Sequence, residues 1–254
     1  MLALFADDIS VRNEADFDPL TGTVVPVRTR RLGSIRLATG PDPKPDQAAI
    51  AAALVEGVRT HGLSLLPWPD EVVRLRRRAA FARAHDVSLP AVDDSALLDR
   101  LDEWLPPLVT GRRRLDAIQP SALRSAFEAL IGWEALKTVD RLAPDSFATP
   151  AGSRHTIDYA ASGGPTVEVR AQALFGLATH PMVAGGRVPL TLAITSPAGR
   201  PIQTSKDLPG FWAGSWRDVA REMRGRYPKH PWPDDPANAA PTLKTKRAAQ
   251  PRRT

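Results

Sequence analysis

Between Asp46 and Pro144 the apolar residues recur every three or four positions in blocks cut by prolines, and from 150 to 207 they alternate with polar ones. A helical period does not sit on a strand, nor a two-residue period on a helix, so one chain must hold a helical segment followed by a strand-containing one. In the first block, AAIAAALVEGVRT (48–60) is nearly all good helix former, Asp46 stands where it can cap, and LLPWPD (65–70) stops the run with two prolines. DEVVRLRRRAAFARAHD (70–86) puts Val72, Leu75 and Ala79 on one face and Arg74, Arg77 and Arg78 on another. DDSALLDRLDEWLPP (93–107) repeats the design, with Asp93 or Asp94 as cap, Leu97, Leu101, Trp104 and Leu105 in one stripe, and Pro106 as its end. PSALRSAFEALIGWEAL (120–136) follows with Leu123, Phe127, Leu130 and Ile131. These are amphipathic helices expected to pack on one another.

The flanks read differently. TGTVVPVRTRRLGSIRLATG (21–40) has β-branched residues, turn glycines at Gly22 and Gly33 and basic alternation through Arg28, Arg30 and Arg31, which suits a strand pair at an exposed edge. PDPKPD (41–46) is a linker or rigid turn. Beyond Pro144, SRHTIDYA, PTVEVRA and GRVPLTLAITSPAGRPIQTS read as strands separated by SGG, AGG and PAG turns. Helix returns from Asp207, and ANAAPTLKTKRAAQPRRT (237–254) is too poor in apolar residues to fold. The expected class is α+β: an N-terminal β-hairpin and linker over 1–45, a helical bundle segment over 46–145, a small mixed α/β domain over 146–236, and a basic disordered tail over 237–254. The opening MLALFADD, apolar and then acidic, reads as chain cut from the middle of a larger domain.

Thirty-four Lys and Arg against 28 Asp and Glu leave a net charge of +6, which favours a polyanionic partner. No cysteine is present, which excludes disulfide scaffolds, thiolate metal sites and cysteine nucleophiles and permits a reducing compartment, with cytoplasm the default. No apolar run approaches the roughly 18 residues that a spanning helix needs. The motifs of catalysis are missing as well. There is no Gly-Lys pair and so no phosphate loop, no GxG fingerprint, no GxSxG elbow and no SxxK pair, and the five histidines lie far apart without ligand spacing.

What remains is basic. In GSWRDVAREMRG (214–225), Ser215 and Asp218 resemble a capping box and Gly225 offers a stop. Trp216, Val219, Ala220 and Met223 fall on one side of the wheel, with Arg217, Arg221 and Arg224 about a quarter-turn away. RGRYPKHPWPDDP (224–236) carries the charge past the helix end through Arg226, Lys229 and His230. Such a stripe can pair with phosphates, and Tyr227 or Trp232 could stack on unpaired bases. Equally, the arginines can bind Asp218 and Glu222 while the aromatics pack onto the domain, the arrangement favoured for the rings.

The run GRVPLTLAITSPAGRPIQTSKDLPGFWAGSWRDVAREMRGRYPKHPWPDDP (186–236) resembles the C-terminal signature of HrpB-type ATP-dependent helicases of the DEAH/RHA group in superfamily 2. LPWPDEVVRLRRR, WLPP, ATPAGSRHTIDYA and VEVRAQALFG agree with it, although Ala173 stands where the family's QELFG has a carboxylate. The resemblance runs from about residue 15 to 240. It implies that the two RecA-like domains, with the ATP and Mg sites of the full-length family, lie N-terminal to this region, which itself carries no cofactor and does not hydrolyse ATP. It also implies an accessory part beside the nucleic-acid channel, partnered by the helicase core and, weakly, by single-stranded RNA or DNA. The candidate contact residues are Arg217, Arg221, Arg224, Arg226, Lys229 and Tyr227, with Arg74, Arg77 and Arg78. A stand-alone basic module that binds a protein or the polar membrane surface is the alternative.

Overall fold

The computed structural model describes residues 9–245; the opening MLALFADD and the last nine residues of the basic tail lie outside the described residues. Three strands come first, β1 (Ile9–Asp18), β2 (Thr23–Leu32) and β3 (Ile35–Pro41). The helices α1 (Gln47–His61), α2 (Asp70–His85), α3 (Asp94–Asp99), α4 (Leu101–Trp104), α5 (Pro106–Val109), α6 (Pro120–Ile131) and α7 (Trp133–Leu142) follow. Then come β4 (Ser146–Ala148), β5 (Arg154–Thr156), β6 (Thr166–Arg170), β7 (Met182–Val183), β8 (Val188–Pro189), β9 (Thr191–Thr195) and β10 (Pro201–Ser205), closed by α8 (Leu208–Ala213) and α9 (Trp216–Arg226). The class is α+β. Among the described residues no helix is long and apolar enough to cross a membrane.

The chain divides into two compact units, one of residues up to Val73 with Pro90–Ala135, the other of Arg74–Leu89 with residues from Leu136 onward. Each unit thus draws on two separate stretches of sequence. In the first unit, the expected hairpin is β2–β3, and β1 adds a third antiparallel strand with Ile9 opposite Leu32 and Asp18 opposite Thr23. Asp46 caps α1 as expected, its carboxylate accepting from the Ala48 N–H at 2.9 Å. Gly57 on α1 lets that helix close on β1, because a Cβ there would sit 2.6 Å from the Phe17 ring. The stripe Leu97, Leu101, Trp104 and Leu105 is buried as read. It is not one helix but three short ones, and Pro106 opens α5 rather than ending the run, because the first helical position needs no N–H.

In the second unit, Arg78 departs from its expected exposed face. It is buried, with Nε donating to the Ala143 carbonyl at 2.7 Å and Nη2 to the Asp140 carboxylate at 2.5 Å. This pairing ties residues 74–89 to α7, and Phe81, 4.9 Å from Tyr159 between ring centroids, extends the attachment. The sheet has the order β10-β9-β6, with β9 antiparallel to β10 and parallel to β6. Its crossover, 171–190, holds a 3₁₀ turn (Ala171–Leu174) and the β7–β8 pair. Val167, Val169, Leu192 and Ile194 pack with Leu174, Phe175 and the inner faces of α8 and α9. Residues 237–242, expected to open an unfolded tail, instead run along this core. Ala237 and Ala239 pack on it, and the Thr242 N–H donates to the Gln172 carbonyl at 3.1 Å.

Candidate nucleic-acid interface

The position of α9 is set by Trp216, which is 1% exposed. Its ring centroid lies 5.0 Å from Trp212, 5.5 Å from Phe175 and 5.9 Å from both Phe211 and Trp232, and Nε1 donates to the Pro233 carbonyl at 2.8 Å. Val219 is half-buried and Ala220 and Met223 are buried beside it, so the apolar face is core as the wheel indicates. The helix ends differ from the sequence expectation. Ser215 makes no capping bond; its hydroxyl donates instead to Gln203 Oε1 at 2.9 Å. The helix also runs through Gly225 to Arg226, and the Tyr227 N–H closes the last turn on the Met223 carbonyl at 2.7 Å.

The cations of α9 then separate by what they touch. Arg217 and, past the helix end, Lys229 are exposed with no acidic partner among the described residues. Arg221 reaches Asp218 at 3.1 Å and Arg226 reaches Glu222 at 3.2 Å, both between exposed side chains, where such pairs are worth only a few tenths of a kcal/mol and break readily for a better anion. Arg224 is bound inward. Its Nε and Nη2 donate to the Trp232 carbonyl at 3.1 and 2.7 Å, and Nη2 also meets the Asp234 carboxylate. Trp232 is buried in turn and donates from Nε1 to the Tyr227 carbonyl at 3.1 Å. Tyr227 is half-buried on the core, and its hydroxyl accepts from Ser196 Oγ at 3.3 Å. Burial, and then the Arg170 charge, hold the His230 imidazole below its usual range, so it adds no charge to the stripe at neutral pH. The proline-rich stretch after α9 therefore closes the fold through Arg224, Tyr227 and Trp232. Replacing Arg224 with Gln should lower stability by about 1 kcal/mol in urea unfolding, since its ion pair is largely solvent-screened and its bonds to the Trp232 carbonyl are the part lost.

On α2, Arg77 is exposed with no acidic partner among the described residues, and Arg74 stands 3.9 Å from Asp145. Both line a cavity of about 160 Å³ with Thr156, Ile157, Asp158 and Tyr159. The Tyr159 hydroxyl is held by donation to the Pro144 carbonyl at 2.8 Å, and burial pushes its pKa up, so it stays a neutral donor. Sequence reasoning did not single out Thr156 or Tyr159, because only the fold brings them to α2. The candidate residues thus sort into outward cations (Arg217, Arg221, Arg226, Lys229, Arg74 and Arg77) and inward ones that hold the fold (Arg224, Tyr227 and Arg78).

Surface arginines on α2 and on α9, the latter seated on an aromatic core, make this an α+β module with basic faces. The family described as ATP-dependent helicase C-terminal, HrpB_C, matches residues 104–236, more than half of the chain, and the chain belongs to that family. It is 41% identical over 234 residues to the ATP-dependent RNA helicase HrpB of Escherichia coli strain K12, covering 91% of this chain and 29% of that protein. Among solved structures, it is similar to the E. coli DExH-box NTPase HrpB with a TM-score of 0.76 and 38% identity, over 96% of this chain and 30% of that one. The E. coli DEAH/RHA helicase HrpB gives a TM-score of 0.63 and 35% identity, over 89% and 29%. The chain spans less than a third of the length of each of these relatives.

Proposed function

We propose that this chain is an accessory C-terminal region of an HrpB-type ATP-dependent helicase, which contacts nucleic acid, supports a helicase core and does not itself hydrolyse ATP. The observation that carries the reading is Arg217, without an acidic partner among the described residues on a helix pinned by Trp216, in a chain whose family is the C-terminal part of ATP-dependent helicases. Rigid presentation matters, because a helix already fixed by its buried face adds no backbone-ordering cost when its arginine meets a phosphate. Phosphate contact supplies affinity without reading bases, so binding is weak, salt-dependent and nearly indifferent to sequence. The E. coli relative is named an RNA helicase, which makes single-stranded RNA the first ligand to try. ATP and Mg belong, on this reading, to domains of the longer relatives, and the setting is the cytoplasm.

The test is the double variant Arg217→Gln with Arg221→Gln. Its melting temperature should match that of the parent, since neither side chain is held inward. Its affinity for single-stranded RNA should fall, with the slope of log affinity against log salt shallower by about 1.4, two contacts at about 0.7 each. A folded variant with unchanged affinity and slope would show the stripe to be merely solvated.

A further inference from the structure

The first unit holds a charge pattern that the roles of α2 and α9 leave unused. Acids of β1 sit toward one end of the three-stranded sheet, where Glu14, Asp16 and Asp18 face Val27, Val25 and Thr23 across the ladder. Arginines fill the other end: Arg12 opposite Thr29, Arg28 opposite Asn13, Arg30 opposite Val11, and Arg31 opposite both Ser10 and Arg36. Arg12, Arg28, Arg30 and Arg36 have no acidic partner among the described residues. Residues paired directly across an antiparallel ladder share a face, and alternate residues along a strand return to it. Arg28 and Arg30 therefore rise from one face together with Val11, Ala38 and Gly40, whereas Arg12 lies on the other. On the Arg28 face these residues, with Ile9, Pro41 and Pro43, line an open basin of about 630 Å³ whose floor leaves Val11 45% exposed.

We infer that this basin is a second seat for single-stranded nucleic acid, with Arg28 and Arg30 holding adjacent phosphates and the apolar floor taking the sugars and base edges. The inference rests on the nucleic-acid function proposed above and adds a surface to it. Two residues apart on one strand, the arginine stems stand about 7 Å apart. That is the order of spacing between neighbouring phosphates on an extended strand. Arginine forks match phosphate oxygens two at a time, and among the described residues no carboxylate lines the basin to compete. Ala38 and Gly40 project too little to keep a backbone from approaching. Among the described residues no aromatic ring lines the basin, so the seat works through phosphates rather than stacking and holds any sequence alike. An acidic peptide offers carboxylates on flexible stems but no backbone string of evenly spaced anions, and the apolar floor gives charged side chains no reason to lie extended there.

The experiment compares two double variants of the full chain with equal loss of charge, one inside the basin and one outside it on the same sheet. Arg28→Gln with Arg30→Gln removes the basin cations; Arg12→Gln with Arg36→Gln removes cations elsewhere on the sheet. Both are titrated against fluorescein-labelled oligouridylate by anisotropy over a range of salt, after melting curves confirm the fold. The basin variant should bind about tenfold more weakly, with a slope shallower by about 1.4, while the Arg12/Arg36 variant stays within about twofold of the parent. Equal weakening by both variants, or none by the basin pair, would overturn the seat and leave the role of α9 intact. Displacement of the RNA by oligoglutamate at equal phosphate and carboxylate concentration would also overturn it, as the face would then read charge alone. If the parent chain binds no oligouridylate at any salt, this inference and the proposed function fall together.

Discussion

Replacing Trp216 with Ala should destabilise the second unit by about 3–5 kcal/mol, the usual cost of deleting a large buried ring. The ring sits among four other aromatic residues, Phe175, Phe211, Trp212 and Trp232, each within 6 Å between centroids. No neighbour can fill the space without leaving its own contacts, and the Pro233 carbonyl loses its indole donor. The loss should appear as a lower urea midpoint with an unchanged slope. It should exceed the Arg224→Gln effect severalfold, because Arg224 acts at a half-exposed rim. A Trp216→Ala protein as stable as the parent would mean that the aromatic cluster does not set the position of α9.

The second large effect is expected at Arg78. Its replacement with Ala should cost about 2–3 kcal/mol, from a buried carbonyl of Ala143 left without a donor and from the lost packing of the side-chain stem. Asp140→Asn is the informative companion. Asp140 is 70% exposed, so its charge contributes little and the variant should stay within about 1 kcal/mol of the parent. Equal losses from the two variants would place the energy in the ion pair rather than in the carbonyl bond.

Those two residues also mark what a linear reading can reach. Trp216 was legible, because its fate depends on the spacing of Val219, Ala220 and Met223 along one helix. Arg78 was not, because its partners lie more than sixty residues away, at Asp140 and Ala143. The caps at Asp46 and Asp93 were readable for the same local reason, and both carboxylates accept the expected N–H. The cap at Ser215 was not, since Gln203 from a distant strand takes its hydroxyl. β1 escaped notice although Ile9, Val11, Ala15 and Phe17 alternate, because Asn13 and the acids between them dilute the apolar signal. The parallel pairing of β6 with β9 needs a crossover that no local pattern announces. Within the candidate interface, the sequence grouped Arg217, Arg221 and Arg224, and the fold separates them by turning Arg224 inward onto Trp232 and Asp234.

We propose that this member of the helicase C-terminal family binds nucleic acid through exposed arginines and performs no ATP chemistry of its own. One titration addresses it: the purified full chain against labelled single-stranded RNA from low to physiological salt, with ATP turnover followed in the same samples. Weak binding that falls steeply as salt rises, equal for unrelated sequences, is expected, with no ATP hydrolysed. Salt-independent binding, no binding at low salt, or ATP turnover abolished by a substitution in this chain would contradict it.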